Sequence, residues 1–187
     1  LRDVGITLRE LLQSKVHELK VNQNSVVFES PAEIEPTGTL LSVFLYQIVE
    51  NGFLRNTDPV PIDTTRMRYP PLVLDLYYMF IPYAKDRETE LLIMEELMQV
   101  FYDTSVLRED ALQGNLVAAG NNEIRITPNN FTFEEINKFW ERFPNKSYKL
   151  SASYILSPVK IPSAKEPAKI TRVIKKDINV YRQGADK

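Results

Sequence analysis

Two runs of this chain, TLLSVFLYQIVE at 39–50 and LVLDLYYMFIPY at 72–83, are apolar on both alternating faces. In the first, Leu41, Val43, Leu45 and Val49 alternate with Leu40, Phe44, Tyr46 and Ile48. β-Branched and aromatic side chains at this density favour a pleated strand, and a strand apolar on both faces needs cover on both. The chain is thereby committed to a layered fold in which helices cover a sheet. Asn51-Gly52 ends the first run. Pro82 places the end of the second at an edge or bulge. Asp75 is the one charged residue in that second run, so it should sit at an edge or interface, or find a hydrogen-bond partner.

The remaining elements follow from periodicity. Leu1, Val4, Leu8, Leu11, Leu12, Val16 and Leu19 recur at helical spacing, which predicts an amphipathic helix over 1–20. Val26-Val27-Phe28 reads as a short strand, and 30–38, with Pro31, Pro36 and Gly38, as a loop. The segment 56–71 holds Pro59, Pro61, Pro70 and Pro71 and reads as an exposed loop too long for a tight turn. Residues 86–103 predict a helix with Asp86 as N-cap and Leu91, Met94, Leu97, Met98 and Phe101 as its buried stripe. No regular element is legible over 104–122, although Leu107, Leu112, Leu116 and Val117 need cover. A short strand follows at 123–127.

Thr132-Phe133-Glu134-Glu135 matches a capping box and opens a helix to about Phe143, with Phe133, Ile136, Phe139, Trp140 and Phe143 as its apolar face. Residues 147–161 alternate as a half-buried strand: Tyr148, Leu150, Ala152, Tyr154 and Leu156 on one face, Ser147, Lys149, Ser151 and Ser153 on the other. Residues 162–168 form a linker, and 169–181 carry one further apolar–basic strand. The order predicts an α+β domain over 1–161, with an antiparallel or mixed sheet and helices packed mainly on one face. A linker and C-terminal extended arm follow over 162–187.

The chemistry of the chain is sparse. Its 187 residues suit one domain with an extension, and 43% apolar with 26% charged residues excludes wholesale disorder. With no cysteine there is no disulfide, thiolate metal site or cysteine nucleophile. The one histidine, His17, reads as a partly exposed helix residue. The six glycines are scattered, so no phosphate loop exists, and no serine sits in a nucleophile elbow. The pairs Glu95-Glu96 and Glu134-Glu135 are adjacent on helices, where neighbours point about 100° apart and cannot converge on one site. No apolar run approaches the roughly 20 residues of a membrane span, because Asp75, Gln47 and Ser42 interrupt them. No secretory signal is legible. The net charge of −2 argues against a nucleic-acid coat. It divides into +4 over 165–187 and −6 over the rest. A basic tail on an acidic body suits either a solvated tail or a contact between subunits.

Four segments in order resemble one family: LSVFLYQIVENGFLRN (41–56), PPLVLDLYYMFIPYA (70–84), ELLIMEELMQVFYDTSVL (90–107) and FTFEEINKFWERFPNKSYKLSASYILSPVKI (131–161). Together they are similar to the cap, or tail-terminator, proteins of contractile injection systems. These are phage-tail-like particles that include the Photorhabdus virulence cassette and the antifeeding prophage. The resemblance implies a fold like that of phage tail terminators. It implies a hexameric ring at the end of the particle far from the baseplate. Such a ring ends polymerisation of the inner tube and ties it to the contractile sheath, without catalytic residues, metal or cofactor. The implied partners are further copies of the chain, the inner-tube protein and the sheath protein. Assembly would be cytoplasmic, without nucleic acid or a membrane span.

Candidate partner or intersubunit contacts are Arg55, Asn56, Arg66 and Arg68 in and beside the proline-rich loop, and Ile170, Arg172, Val173, Lys175 and Lys176 in the arm. The alternative is a monomeric soluble adaptor or protein-binding module without catalytic activity; an enzyme ranks third. The mass in solution, or the number of subunits about one axis, separates the first two.

Overall fold

In a computed structural model, residues 1–34, 38–55 and 57–169 are described. The larger of two units comprises Leu1–Asn56 and Pro71–Pro162. It is built on a six-stranded sheet formed by β1 (Val26–Val27), β2 (Leu41–Glu50), β5 (Leu72–Pro82), β6 (Val106–Arg108), β7 (Glu123–Pro128) and β8 (Ala152–Ile161), in spatial order β1-β2-β5-β8-β7-β6. β1 runs parallel to β2 and every other pairing is antiparallel, so the sheet is mixed. The two doubly apolar runs are β2 and β5, paired along nearly their whole length. Register shifts at Leu45/Gln47 in β2 and at Leu74/Leu76 in β5 mark bulges, which increase local twist.

Cover comes to both faces. Helices α1 (Arg2–Lys15) and α2 (Arg87–Asp103) lie over the face that carries Val43, Leu76, Tyr78, Phe80 and Leu156. Phe80, Phe101 and Tyr154 stack edge-on at 4.8–5.7 Å and join β5, α2 and β8. The shorter α3 (Phe133–Trp140) covers the opposite face, where Trp140 packs on Met79 and Ile81. Among the described residues, two of the three α-helices thus share one face, in keeping with the α+β expectation.

Several boundaries move. The first helix ends at Lys15, and a 3-10 turn at Glu18–Val21 carries the chain on. Asp86 caps α2 as expected, accepting from Thr89 N–H at 2.8 Å. The buried stripe of that helix is rotated, however. Glu90, Ile93, Met94, Leu97 and Phe101 face inward, while Leu91 and Met98 are 50% and 52% exposed. The rotation is set by Glu90, which pairs with Lys149 and with Arg87 Nη1 at 2.9 Å and so enters the interior with its charge compensated. The capping box of α3 forms, with Thr132 N–H donating to Glu135 at 2.8 Å, but the helix stops at Trp140 rather than near Phe143. Phe133, at its first position, is 78% exposed and leaves the apolar face.

The last long strand starts at Ala152 rather than 147. Its expected polar face is covered: Ser153 is buried and bonds Tyr46 Oη at 3.0 Å and Asn129 Nδ2 at 3.2 Å. The strand lies between β5 and β7, so both of its edges are paired. Over 104–122, β6 is followed by turns that bury Leu112 and Leu116. Gly114 has φ +64° there, and a Cβ would meet the Asp3 carboxylate at 2.6 Å.

The smaller unit comprises Thr57–Pro70 and the chain from Ser163. Its sheet holds β3 (Val60–Pro61), β4 (Arg66–Arg68) and β9 (Ala168–Lys169). The expected open loop 56–71 therefore contains a hairpin. Asp63 makes the turn, accepting from Thr65 N–H at 2.8 Å and Thr65 Oγ1 at 2.9 Å.

Candidate functional site

The structure distributes the candidate contact residues over both units. Arg55 follows β2 in the larger unit and pairs with Glu50 at 3.3 Å, both exposed. Arg66 and Arg68 lie on β4 in the smaller unit. Arg66 Nε meets Asp63 at 2.7 Å. The Asp63 carboxyl is held down to about 2 by the Thr65 backbone N–H first, then by Arg66 and the Thr65 hydroxyl. Arg68 stands opposite Val60, and Arg66 opposite Lys169. The first residues of the arm thus add a strand to the proline-rich hairpin of their own chain. Asn56, Ile170, Arg172, Val173, Lys175 and Lys176 lie outside the described residues.

Among the described residues, no three His, Cys, Asp or Glu side chains stand where they could hold one metal ion. His17 is exposed, 3.7 Å from Glu18. No described helix is long and apolar enough to cross a membrane.

The larger unit carries a surface that periodicity did not point out. β2 meets β1 only at Leu41 and Ser42, so Phe44–Glu50 has no strand on that side among the described residues. Beside this edge, Phe44, Tyr46 and Gln47 of β2 face Phe131 and Glu135, Lys138, Phe139, Arg142 and Phe143 of the α3 region across a cleft of about 600 Å³. The aromatic rings are edge-on, with Tyr46 and Phe139 centroids 5.5 Å apart. On the other face, Val43 and Leu45 form a second cleft, of about 440 Å³, with Phe28, Gly5, Arg2 and Arg9. The available signal was the abrupt loss of apolar character after Phe28, which leaves β1 too short to match β2.

Residues 3–175 match the family described as the Pvc16 N-terminal domain. The chain belongs to that family. No curated protein matches the chain significantly. Two solved structures share the fold of this Pvc16 N-terminal domain. One is the PVC sheath/tube terminator of an extracellular contractile injection system in its extended state, with TM-score 0.65, 16% identity, and 99% of this chain and 65% of that chain covered. The other is the anti-feeding prophage cap, a tube-terminating cap, with TM-score 0.64, 16% identity, and 96% of this chain and 61% of that chain covered. The chain therefore spans just under two thirds of the length of either solved chain. At this identity the shared property is the fold, an α+β domain like that of the terminators, as its sequence segments imply.

Proposed function

We propose that this Pvc16 N-terminal domain is a structural, non-catalytic part of the cap of a contractile injection system. In this reading it ends the inner tube and sheath at the baseplate-distal end, as a hexameric ring. The observation that carries the reading is the combination of a family match over residues 3–175 with one fold shared across nearly the whole chain with a sheath/tube terminator and a tube-terminating cap. Its partners are further copies of itself, the inner-tube protein and the sheath protein. It assembles in the cytoplasm and becomes part of the particle.

A cyclic ring needs heterologous contacts, in which two different patches of the chain meet. The basic segment 170–176, with Arg172, Lys175 and Lys176 among Ile170 and Val173, is one candidate patch and would meet acidic groups on the body of a neighbouring copy; Arg55, Asn56, Arg66 and Arg68 are further candidate contacts. A helical stack has no intrinsic stop, so tube and sheath should keep growing without a cap. Imaging of particles from a deletion strain should find irregular lengths or few stable sheaths, and native mass measurement of capped ends should find six copies. Particles of unchanged, uniform length would overturn the terminator role.

A further inference from the structure

We infer that the edge of β2 left unpaired among the described residues is a strand-addition site for an extended partner segment that carries both apolar and acidic side chains on each of its two faces. Leu41 N–H donates to Ser25 C=O, on the side away from β5. Strand period 2 turns Val43 and Leu45 the same way. Past the bulge, Asn51 N–H bonds Val73 C=O on the β5 side, so the outward groups resume at Ile48 and Glu50. Among the described residues, no hydrogen bond reaches the outward N–H and C=O groups of Phe44–Glu50. Such a row of unpaired groups is a template for another strand.

The two clefts then set which strand fits. They open on opposite faces of the same edge, one lined by Phe44, Tyr46 and Phe139, the other by Val43, Leu45 and Phe28. Successive side chains of an added strand point to opposite faces, so alternate residues enter each cleft. The rims carry basic side chains, Arg2 and Arg9 at one cleft and Arg142 at the other, where Lys138 is already paired with Glu134 at 2.6 Å. The one carboxylate lining either cleft, Glu135, is engaged by Thr132 N–H and Oγ1, both at 2.8 Å. Acidic side chains on the incoming strand match this rim, and basic ones are repelled. The basic segment 170–182 of a second copy is therefore the disfavoured occupant.

The inference is independent of the cap reading, and it is tested on the full 187-residue chain with two peptides. One is the ten-residue peptide VVEEVVEEVV, which sets valine and glutamate on both faces of a strand. The other is ITRVIKKDINVYR, residues 170–182. Amide hydrogen exchange should slow at least tenfold at Leu45, Ile48 and Glu50 with the acidic peptide, and less than twofold with the basic one. Ile48→Pro removes an outward N–H that the β5 ladder does not use, so it should keep the native circular dichroism and abolish the protection. Arg142→Glu should weaken binding without touching the backbone edge. Absence of protection, equal protection by the basic peptide, or undiminished binding by a folded Ile48→Pro variant would each overturn the proposal.

Discussion

Asn51, one residue past the end of β2, donates from Nδ2 to both carboxylate oxygens of Asp75 on β5, at 3.0 and 3.3 Å. Ser157 of β8 hydrogen-bonds the same carboxylate from the other side. A charge inside an apolar strand is thus held between its two neighbours, at the point where the β5–β8 ladder skips a residue. Removing the carboxylate would leave the half-buried donors of Asn51 and Ser157 unmet, at a cost of about 1–3 kcal/mol. Asp75→Ala should lower the urea midpoint accordingly with an unchanged m-value. Asp75→Asn keeps one acceptor oxygen and should lose less. An Asp75→Ala variant as stable as the parent would show that the two donors find other partners.

Trp140 is a core residue of the α3 layer, buried against Met79 and Ile81 and edge-on to Phe139 and Phe143 at 6.0 Å. Trp140→Ala should cost about 3–5 kcal/mol, measurable by thermal or urea unfolding. A variant of unchanged stability that fails only in assembly would make Trp140 a partner anchor instead.

Acid should loosen the proline-rich hairpin through Asp63. Its folded carboxyl titrates near 2, below the ordinary value of 3.8. A depressed folded value means that the carboxylate stabilises the turn fully above pH 3.8 and that this support is lost as pH falls towards 2. NMR titration of the Asp63 carboxyl should give a midpoint near 2 in the native chain and near 4 in Asp63-containing peptides. A native midpoint near 4 would mean that the Thr65 and Arg66 contacts do not hold the turn.

The parts of this fold legible in sequence were those with one dominant cause. The two doubly apolar runs became the long paired strands β2 and β5 because pairing and cover on both faces hide most of the apolar surface of β5 and of the first half of β2. Asp86 and the Thr132/Glu135 box announced two helix starts because capping is local chemistry. The facing of α2 was misjudged because its rotation depends on Lys149, 59 residues away, which lets Glu90 turn inward. The short sheet β3-β4-β9 was unreadable for the same reason: strands of two or three residues carry no period, and β9 arrives about 100 residues after β4 along the chain. The β2 edge could not be read either, since an edge is defined by the strand that is missing beside it, and periodicity within one strand reports only its faces.

The arm residues provide the last test, because their sequence and their first pairings point in different directions. Ala168 and Lys169 pair with Met67 and Arg66 of the same chain, in a three-stranded sheet separate from the six-stranded one. The six-stranded sheet completes its order from β1 to β6 without them. Truncation after Ser163 should therefore leave the core of Val4, Leu8, Leu76, Phe80 and Leu97 intact, with near-parental unfolding temperature. If residues from Ile170 onward contact a neighbouring subunit, the same truncation should yield a folded monomer that no longer assembles. Exposed charge pairs would add at most about 1 kcal/mol each, so apolar contacts of Ile170, Val173 and Ile174 would dominate that loss. Analytical ultracentrifugation of the parent and the truncated chain, each alone and with tube and sheath proteins, reads both outcomes. An unfolded truncated chain would mean that the arm completes its own core, and a truncated chain that still forms rings would remove the arm from the subunit contact altogether.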